Sequence, residues 1–255
     1  MKIDIAKFFN KNHKNISEEA EGAYIIDENT GFDTLESYKV ARTNIMFSLP
    51  KTDDGKVILI SSPQPSEGKT TTSINLAYTF SQTGAKVLIV DCDMRKPRVH
   101  RYLKIEKDIG LSNILCGFCT IDDAIKKNVF GNLDCITVGE IPLNSAELLM
   151  SEGTGNLLEE LKKRYDYIFL DTPPVLTVTD AMILAPLVSG VIMVVKQNIS
   201  TYDTLDKAID MLKRSNIKIL GFLMNNVEKA YSSRYYSRRG YRYGYRYEYK
   251  EHNRQ

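Results

Sequence analysis

Gly68-Lys69-Thr70 closes the stretch Ser62-Pro63-Gln64-Pro65-Ser66-Glu67-Gly68-Lys69-Thr70, which follows the apolar run Val57-Ile58-Leu59-Ile60. Apolar run, small and polar loop, then Gly-Lys-Thr reads as strand, loop and helix start. Unpaired N–H groups at a helix N-terminus, backed by the helix dipole, favour an anion there. Ser66, Glu67, Gly68, Lys69, Thr70 and Thr71 are therefore candidate phosphate-binding residues. Gly68 lets the backbone approach closely, Lys69 brings a mobile positive charge to the β/γ-phosphates, and Thr70 offers a hydroxyl to Mg²⁺. The full pattern has Gly five residues before Gly68, where this chain has Pro63, so the motif is a deviant Walker A.

Two more apolar runs end in acids. Val87-Leu88-Ile89-Val90 leads into Asp91-Cys92-Asp93-Met94-Arg95, and Tyr167-Ile168-Phe169-Leu170 leads into Asp171-Thr172-Pro173-Pro174. Continuous apolar runs of this length suit strands buried on both faces of a parallel sheet. Ligands of open α/β sheets bind outside the carboxyl ends of the strands, so three strand ends are expected to bring Lys69, Thr70, Asp91, Asp93 and Asp171 to one place. Carboxylates gathered in a protein interior need a cation, and Mg²⁺ on a nucleotide supplies one. Taken singly, Asp91 and Asp171 also read as helix N-caps after strands.

The elements that must position these groups alternate along the chain. Leu35 to Ser48 is expected to be helical with Thr34 as its cap, and Pro50 to Gly55 a turn. Strand 57–60 precedes the phosphate loop, and a helix runs from about Lys69 to Thr83, ended by Gly84. Strand 87–90 follows, then a less regular stretch over 95–132. A strand is expected at Leu133 to Val138, a helix at Ser145 to Arg164 interrupted by Gly153 and Gly155, a strand at 167–170 and a helix at Val178 to Leu187. Strand Gly190 to Val195, helix Tyr202 to Ser215 and strand Ile219 to Met224 complete the order. Strands alternating with helices argue for a doubly wound, mostly parallel α/β sheet of P-loop NTPase type. No internal repeat is found. The expected organisation is an N-terminal arm over 1–32, a nucleotide-binding domain over 33–230 and a tail over 231–255.

Composition excludes several classes. Hydrophobic residues make up 43% and charged residues 26% of 255 residues, ordinary for a globular domain. No stretch approaches the ~20 apolar residues of a membrane span, and the N-terminus lacks a signal core, so the expected location is cytoplasmic. Cys92, Cys116, Cys119 and Cys135 make no disulfide framework in a chain of this length. Cys116-Gly117-Phe118-Cys119 has the spacing of a redox pair or half a metal site, but with no second pair and no nearby His it reads as incidental reduced thiols.

The tail changes character. From Tyr231 onward there is no aliphatic residue, and seven Lys/Arg stand against two Glu. Eight of the fifteen tyrosines are here: Tyr231, Tyr235, Tyr236, Tyr241, Tyr243, Tyr245, Tyr247 and Tyr249. Such a segment cannot offset its ordering entropy alone and is expected to be mobile. Three readings compete: a strand with Tyr241 to Tyr249 on one face, a nucleic-acid-binding tail of Arg interleaved with aromatics, and a cluster of phosphoacceptor hydroxyls.

Together these features resemble the bacterial tyrosine kinases of capsule and exopolysaccharide systems, in their stand-alone cytoplasmic form, over roughly residue 33 to the end. The loop Ser62 to Thr70, the Asp-x-Asp-x-Arg segment at Asp91, Asp93 and Arg95 (Walker A′ in that family), the Walker B segment from Asp171 to Pro174 and the tyrosine cluster carry the likeness. It implies ATP and Mg²⁺ as cofactors, with Thr70, Asp91 and Asp171 at the metal, Lys69, Asp91 and Asp93 catalytic, and either Asp93 or Asp91 taking the tyrosine proton. It implies autophosphorylation of the tail between subunits, with nucleic acid no longer the expected partner. Asn225 stands where related folds contact adenine, though a turn Asn is as good a reading. Arg95 is expected to hold Asp93 or a phosphate. The family's Glu-x-x-Arg-x-x-Arg helix, which builds a ring-shaped homo-oligomer, reads here as Glu36, Lys39 and Arg42; Lys39 keeps the charge but loses the planar fork of Arg. These three residues also read simply as surface ion pairs. The likeness further implies a membrane adaptor with a polysaccharide chain-length domain that recruits the protein to the membrane, protein substrates phosphorylated on tyrosine, and a cognate phosphotyrosine phosphatase. A partition- or septum-positioning ATPase is the alternative on the same fold. Those proteins carry a second Lys early in the loop, and Ser61 to Glu67 contains none. A nucleotide-gated scaffold with a nucleic-acid-binding tail is a third.

Overall fold

The computed structural model describes residues 24–227. Most of the arm and the whole tyrosine cluster, with the three readings of the tail, lie outside the described residues. Seven strands form one sheet: β1 Lys56–Ser61, β2 Val87–Asp91, β3 Lys126–Phe130, β4 Leu133–Ile136, β5 Tyr167–Asp171, β6 Gly190–Lys196 and β7 Ile219–Asn225. Their order is β3-β4-β2-β5-β1-β6-β7. All neighbours run parallel except β3 and β4, which are antiparallel. The expected doubly wound α/β sheet is therefore the fold.

Both faces are covered, which is why the strands read as unbroken apolar runs. Ile58, Ile60, Ile89 and Phe169 face one layer, where α1 (Phe32–Ser48) contributes Ile45 and α2 (Lys69–Ser81) contributes Ile74, Ala77 and Phe80. Val57, Leu59, Leu88, Val90 and Leu170 face the other. That layer holds Leu157, Leu158 and Leu161 and, further along the chain, Ala208 and Leu212. Each of the Val, Leu, Ile and Phe side chains among these is worth about 1.5–3 kcal/mol when fully buried.

Three short helices follow β2: α3 Val99–Tyr102, α4 Leu111–Leu115 and α5 Ile121–Ala124. Two helices then replace the single one expected over Ser145 to Arg164: α6 Ser145–Met150 and α7 Glu152–Lys162. The break is at Ser151, which turns extended and returns its hydroxyl to the Leu148 carbonyl; Gly153 and Gly155 lie inside α7. The helix expected at Val178 to Leu187 is α8 Asp180–Leu184 followed by a 3-10 turn, Ala185–Leu187. The last helix is α9 Tyr202–Arg214.

Other boundaries move for local reasons. An Asp27 turn, closed by Thr30 and Asn29, ends at Gly31, so α1 starts at Phe32 and Thr34 lies within its first turn rather than capping it. Residues 24–31 belong to the folded body: Ile26 is buried, and its N–H donates to Asn75 Oδ1 at 2.9 Å. The strand β3 was not legible in the stretch 95–132 because Lys126-Lys127-Asn128 has no apolar alternation. It is an outer strand held by Lys127 and the Asn128 N–H, both bonded to Asp134, and its lysines discourage further edge pairing.

Candidate phosphate and metal site

Register puts the chemistry together. Asp91 at the end of β2 is opposite Asp171 at the end of β5, and Asp171 is opposite Ile60 of β1, just before the phosphate loop. Gly68 caps α2 at φ +90 and has no side chain to satisfy the first-turn amides, which stay open for an anion. A Cβ at Gly68 would lie 2.4 Å from Asn225 Nδ2. Ser66 is also left-handed, at φ 67, and exposed. Thr71 is half-buried on the first turn of α2.

Lys69 turns inward. Its Nζ is 2.9 Å from Asp93 Oδ2 and 3.6 Å from Asp171 Oδ2. The Thr70 hydroxyl donates to Asp171 Oδ2 at 2.7 Å and Ser73 Oγ donates to Asp171 Oδ1 at 3.0 Å. Asp91 accepts the N–H of Asp93 at one oxygen and that of Val99 at the other, both at 3.1 Å. Asp91 thus shapes the loop that carries Asp93, but neither it nor Asp171 is a helix N-cap residue: Arg98 stands at that position before α3 and Thr179 before α8, because several loop residues follow each strand. Asp93 Oδ1 takes the Lys96 N–H at 3.0 Å.

The electrostatics follow from burial. Asp91 is fully buried, and burial together with the charge of Asp171 pushes its carboxyl well above the usual range. Burial also raises Asp171, although Lys69, Thr70 and Ser73 pull the other way. Burial of Lys69 disfavours its charge, but Asp171 and Asp93 outweigh that and hold its pKa above the ordinary lysine value. Cys92, between the two acids, is pushed well up by burial and by the neighbouring carboxylates, so its thiol stays protonated. All four cysteines are free.

Three carboxylates around one ammonium leave the cluster short of positive charge, and a cation is what this donor set fits. Among the described residues no group of three His, Cys, Asp or Glu side chains could hold a metal by itself. Mg²⁺ is commonly bound through one or two carboxylates plus substrate phosphates. Thr70, Asp171 and Asp91 are the protein groups at hand.

Several contacts were not legible in the sequence. Glu67 is fully buried; it accepts the Gln64 N–H and the Ser200 hydroxyl, tying the phosphate loop to the loop after β6. Asn225 donates to the carbonyls of Glu67 (3.0 Å) and Gly68 (3.5 Å) and to Thr72 Oγ1 (3.0 Å), so its amide fixes the cradle from behind. Arg95 reaches neither Asp93 nor the loop: its Nε and one Nη atom each bond an oxygen of the fully buried Asp180 at 3.3 Å. Glu36 and Lys39 form an i,i+3 pair at 2.7 Å, while Arg42 donates to the Thr79 carbonyl at 2.6 Å. No helix among the described residues is long and apolar enough to cross a membrane.

Comparison with known proteins adds a separate line. The model of an AAA domain family matches residues 55–220. Tyrosine-protein kinase YwqD of Bacillus subtilis is 38% identical over 200 residues, which span 78% of this chain and 84% of that protein. The kinase domain of Escherichia coli tyrosine kinase ETK superposes with a TM-score of 0.74 at 31% identity, covering 76% of each chain. The septum site-determining protein MinD of Pyrococcus horikoshii, complexed with Mg-ADP, gives 0.58 at 27% identity, covering 67% of this chain and 70% of that one.

Proposed function

The chain belongs to the bacterial tyrosine-protein kinases, and from that premise we propose that it phosphorylates, in a neighbouring copy, the tyrosine cluster Tyr231 to Tyr249, and so regulates capsule or exopolysaccharide synthesis and export. In this reading the kinase domain, expected over 33–230, takes in residues 24–31 as well, and 231–255 is the substrate tail. The observation that carries it is the meeting of Lys69, Thr70, Asp93 and Asp171 at the mouth of a helix N-terminus.

When bound, ATP with Mg²⁺ supplies the phosphoryl group and the positive charge that the carboxylates lack. Ser66 to Thr71 hold the phosphates through the open amides of α2. Lys69 would neutralise charge on the β/γ-oxygens. Thr70, Asp171 and Asp91 are the residues that would hold the cation. Asp93 then accepts the proton of the incoming tyrosine hydroxyl, whose ordinary pKa is about 10, as its oxygen bonds to phosphorus and the bond to the leaving diphosphate breaks. Both oxygens of Asp91 are engaged by backbone amides, whereas Asp93 has one oxygen on a backbone amide and the other on the Lys69 side chain, which supports Asp93 over Asp91 as the proton acceptor. Positioning and charge stabilisation do most of the work in such transfers.

The protein is expected to act in the cytoplasm, brought to the membrane by an adaptor with a polysaccharide chain-length domain, to assemble as a homo-oligomer, and to be reset by a phosphotyrosine phosphatase. The test is incubation of the purified chain with ATP and Mg²⁺, with and without the adaptor's cytoplasmic segment, and mapping of phosphotyrosine by mass spectrometry. Phosphate on Tyr231 to Tyr249, lost in Lys69→Met, supports the proposal. ATP hydrolysis with no phosphotyrosine under either condition points instead to the partition-type ATPase.

A further inference from the structure

Residues 140–152 follow β4 and form a shelf beyond the carboxyl end of the sheet. The strand β4 pairs directly with β2, with Val90 opposite Ile136, so the shelf rises one strand from the loop carrying Asp91 and Asp93. It is unusually apolar for an exposed surface: Leu143 is fully exposed, Met150 is 70% exposed and Ile141 is 53% exposed. It is also acidic. Glu140, Glu147 and Glu152 are exposed, the stretch contains no Lys or Arg, and none of the three forms an ion pair among the described residues.

The chain is anchored where it enters the shelf. Ser112 Oγ donates to the Glu140 carbonyl at 2.6 Å, and the N–H groups of Leu111 and Ser112 donate to Thr137 and Val138. A Cβ on Gly139, which sits at φ +77, would come within 2.1 Å of Asn113 Oδ1.

We infer that this shelf is the docking surface for the tyrosine- and arginine-rich segment 231–249 of a second copy, and sets which tyrosines reach Asp93. The inference rests on the tail-phosphorylation reading above. The complementarity is chemical: the segment lacks aliphatic residues but offers eight tyrosine rings to Ile141, Leu143 and Met150, a thioether among them, and its arginines meet three unpaired glutamates. A basic tail recognised only at the phosphate site would instead be drawn to the Asp91, Asp93 and Asp171 cluster, which a bound cation neutralises. A separate acidic surface keeps its attraction when the site is loaded.

The test uses two full-length proteins. The acceptor carries Lys69→Met; the enzyme carries all eight tail Tyr→Phe, with or without Ile141→Ser/Leu143→Ser or Glu140→Arg/Glu147→Arg. Both shelf variants are expected to raise KM for the acceptor roughly tenfold, with kcat and nucleotide binding within twofold. An acceptor with Arg238→Glu/Arg239→Glu should restore the KM of the Glu→Arg enzyme. Unchanged KM in both variants overturns the shelf alone. Changed oligomer size with unchanged KM puts the folded body of another copy there and also overturns it. No phosphate on the acceptor, even with the shelf intact, overturns the tail reading and the shelf with it.

Discussion

Lys69 Nζ lies 2.9 Å from Asp93 Oδ2, so the group expected to meet phosphate and the group expected to take the tyrosine proton are direct neighbours. Asp93→Asn should lower kcat by about 10²–10⁴-fold, the usual contribution of a general base, while leaving the KM for ATP nearly unmoved; steady-state kinetics on the acceptor tail would show it. Gly68→Ala should abolish nucleotide binding, because its φ of +90 is strained for any L side chain and the new Cβ would strike Asn225; titration with a fluorescent ATP analogue reads this out. The raised carboxyl of Asp91 has a sign that can be followed. A carboxyl with a higher pKa folded than unfolded supports the fold while protonated and withdraws that support as pH rises above about 4. In nucleotide-free protein the melting temperature of Asp91→Asn, measured against the parent, should therefore climb as pH goes from 5 to 8. A gap that narrows would contradict this account of Asp91.

At the scale of elements, the loop after β2 is held from two directions. Asp91 takes the N–H of Val99, and Arg95 clasps Asp180 at the start of α8. Asp180 is fully buried and Arg95 is half exposed, so Arg95→Ala should cost about 2 kcal/mol, less than the 3–5 typical when a wholly buried pair is broken; chemical denaturation would measure it. This pairing spans 85 positions, and nothing at either end of it announces the other. The same holds for Glu67 with Ser200 and for Asn225 with the phosphate loop. The strands β1, β2, β5 and β6 were legible because burial on both faces leaves an unbroken apolar run, and the site was legible because three such runs end in the loop or in an acid. The outer strand β3 was not, since an edge strand can be as polar as Lys126-Lys127-Asn128, and the break at Ser151 was hidden by two glycines that tolerate the helix.

For the whole molecule, phosphorylation would place dianions beside Arg234, Arg238, Arg239, Arg242 and Arg246, cancelling the charge that draws the tail to acidic surfaces. The phosphorylated protein should then sediment as a smaller species than the dephosphorylated one, and equal sizes would argue against a charge-driven assembly. Replacing all eight tail tyrosines by Phe should remove most autophosphorylation without weakening nucleotide binding. Of the helix expected to build a ring, Arg42 is committed inside its own chain to the Thr79 carbonyl, and Glu36 and Lys39 pair with each other. Asn75 completes that internal attachment: it receives the Ile26 N–H and donates to the Tyr24 carbonyl and to the Tyr38 hydroxyl, at 2.9, 3.0 and 3.2 Å. Residues 24–48 are thus fastened to α2 at its middle and its end, and should open and close with it as one cooperative unit of amide exchange. Occupancy of the phosphate loop would then slow deuterium uptake in α1, so that the helix expected to meet a neighbouring subunit would carry a record of whether its own chain is loaded.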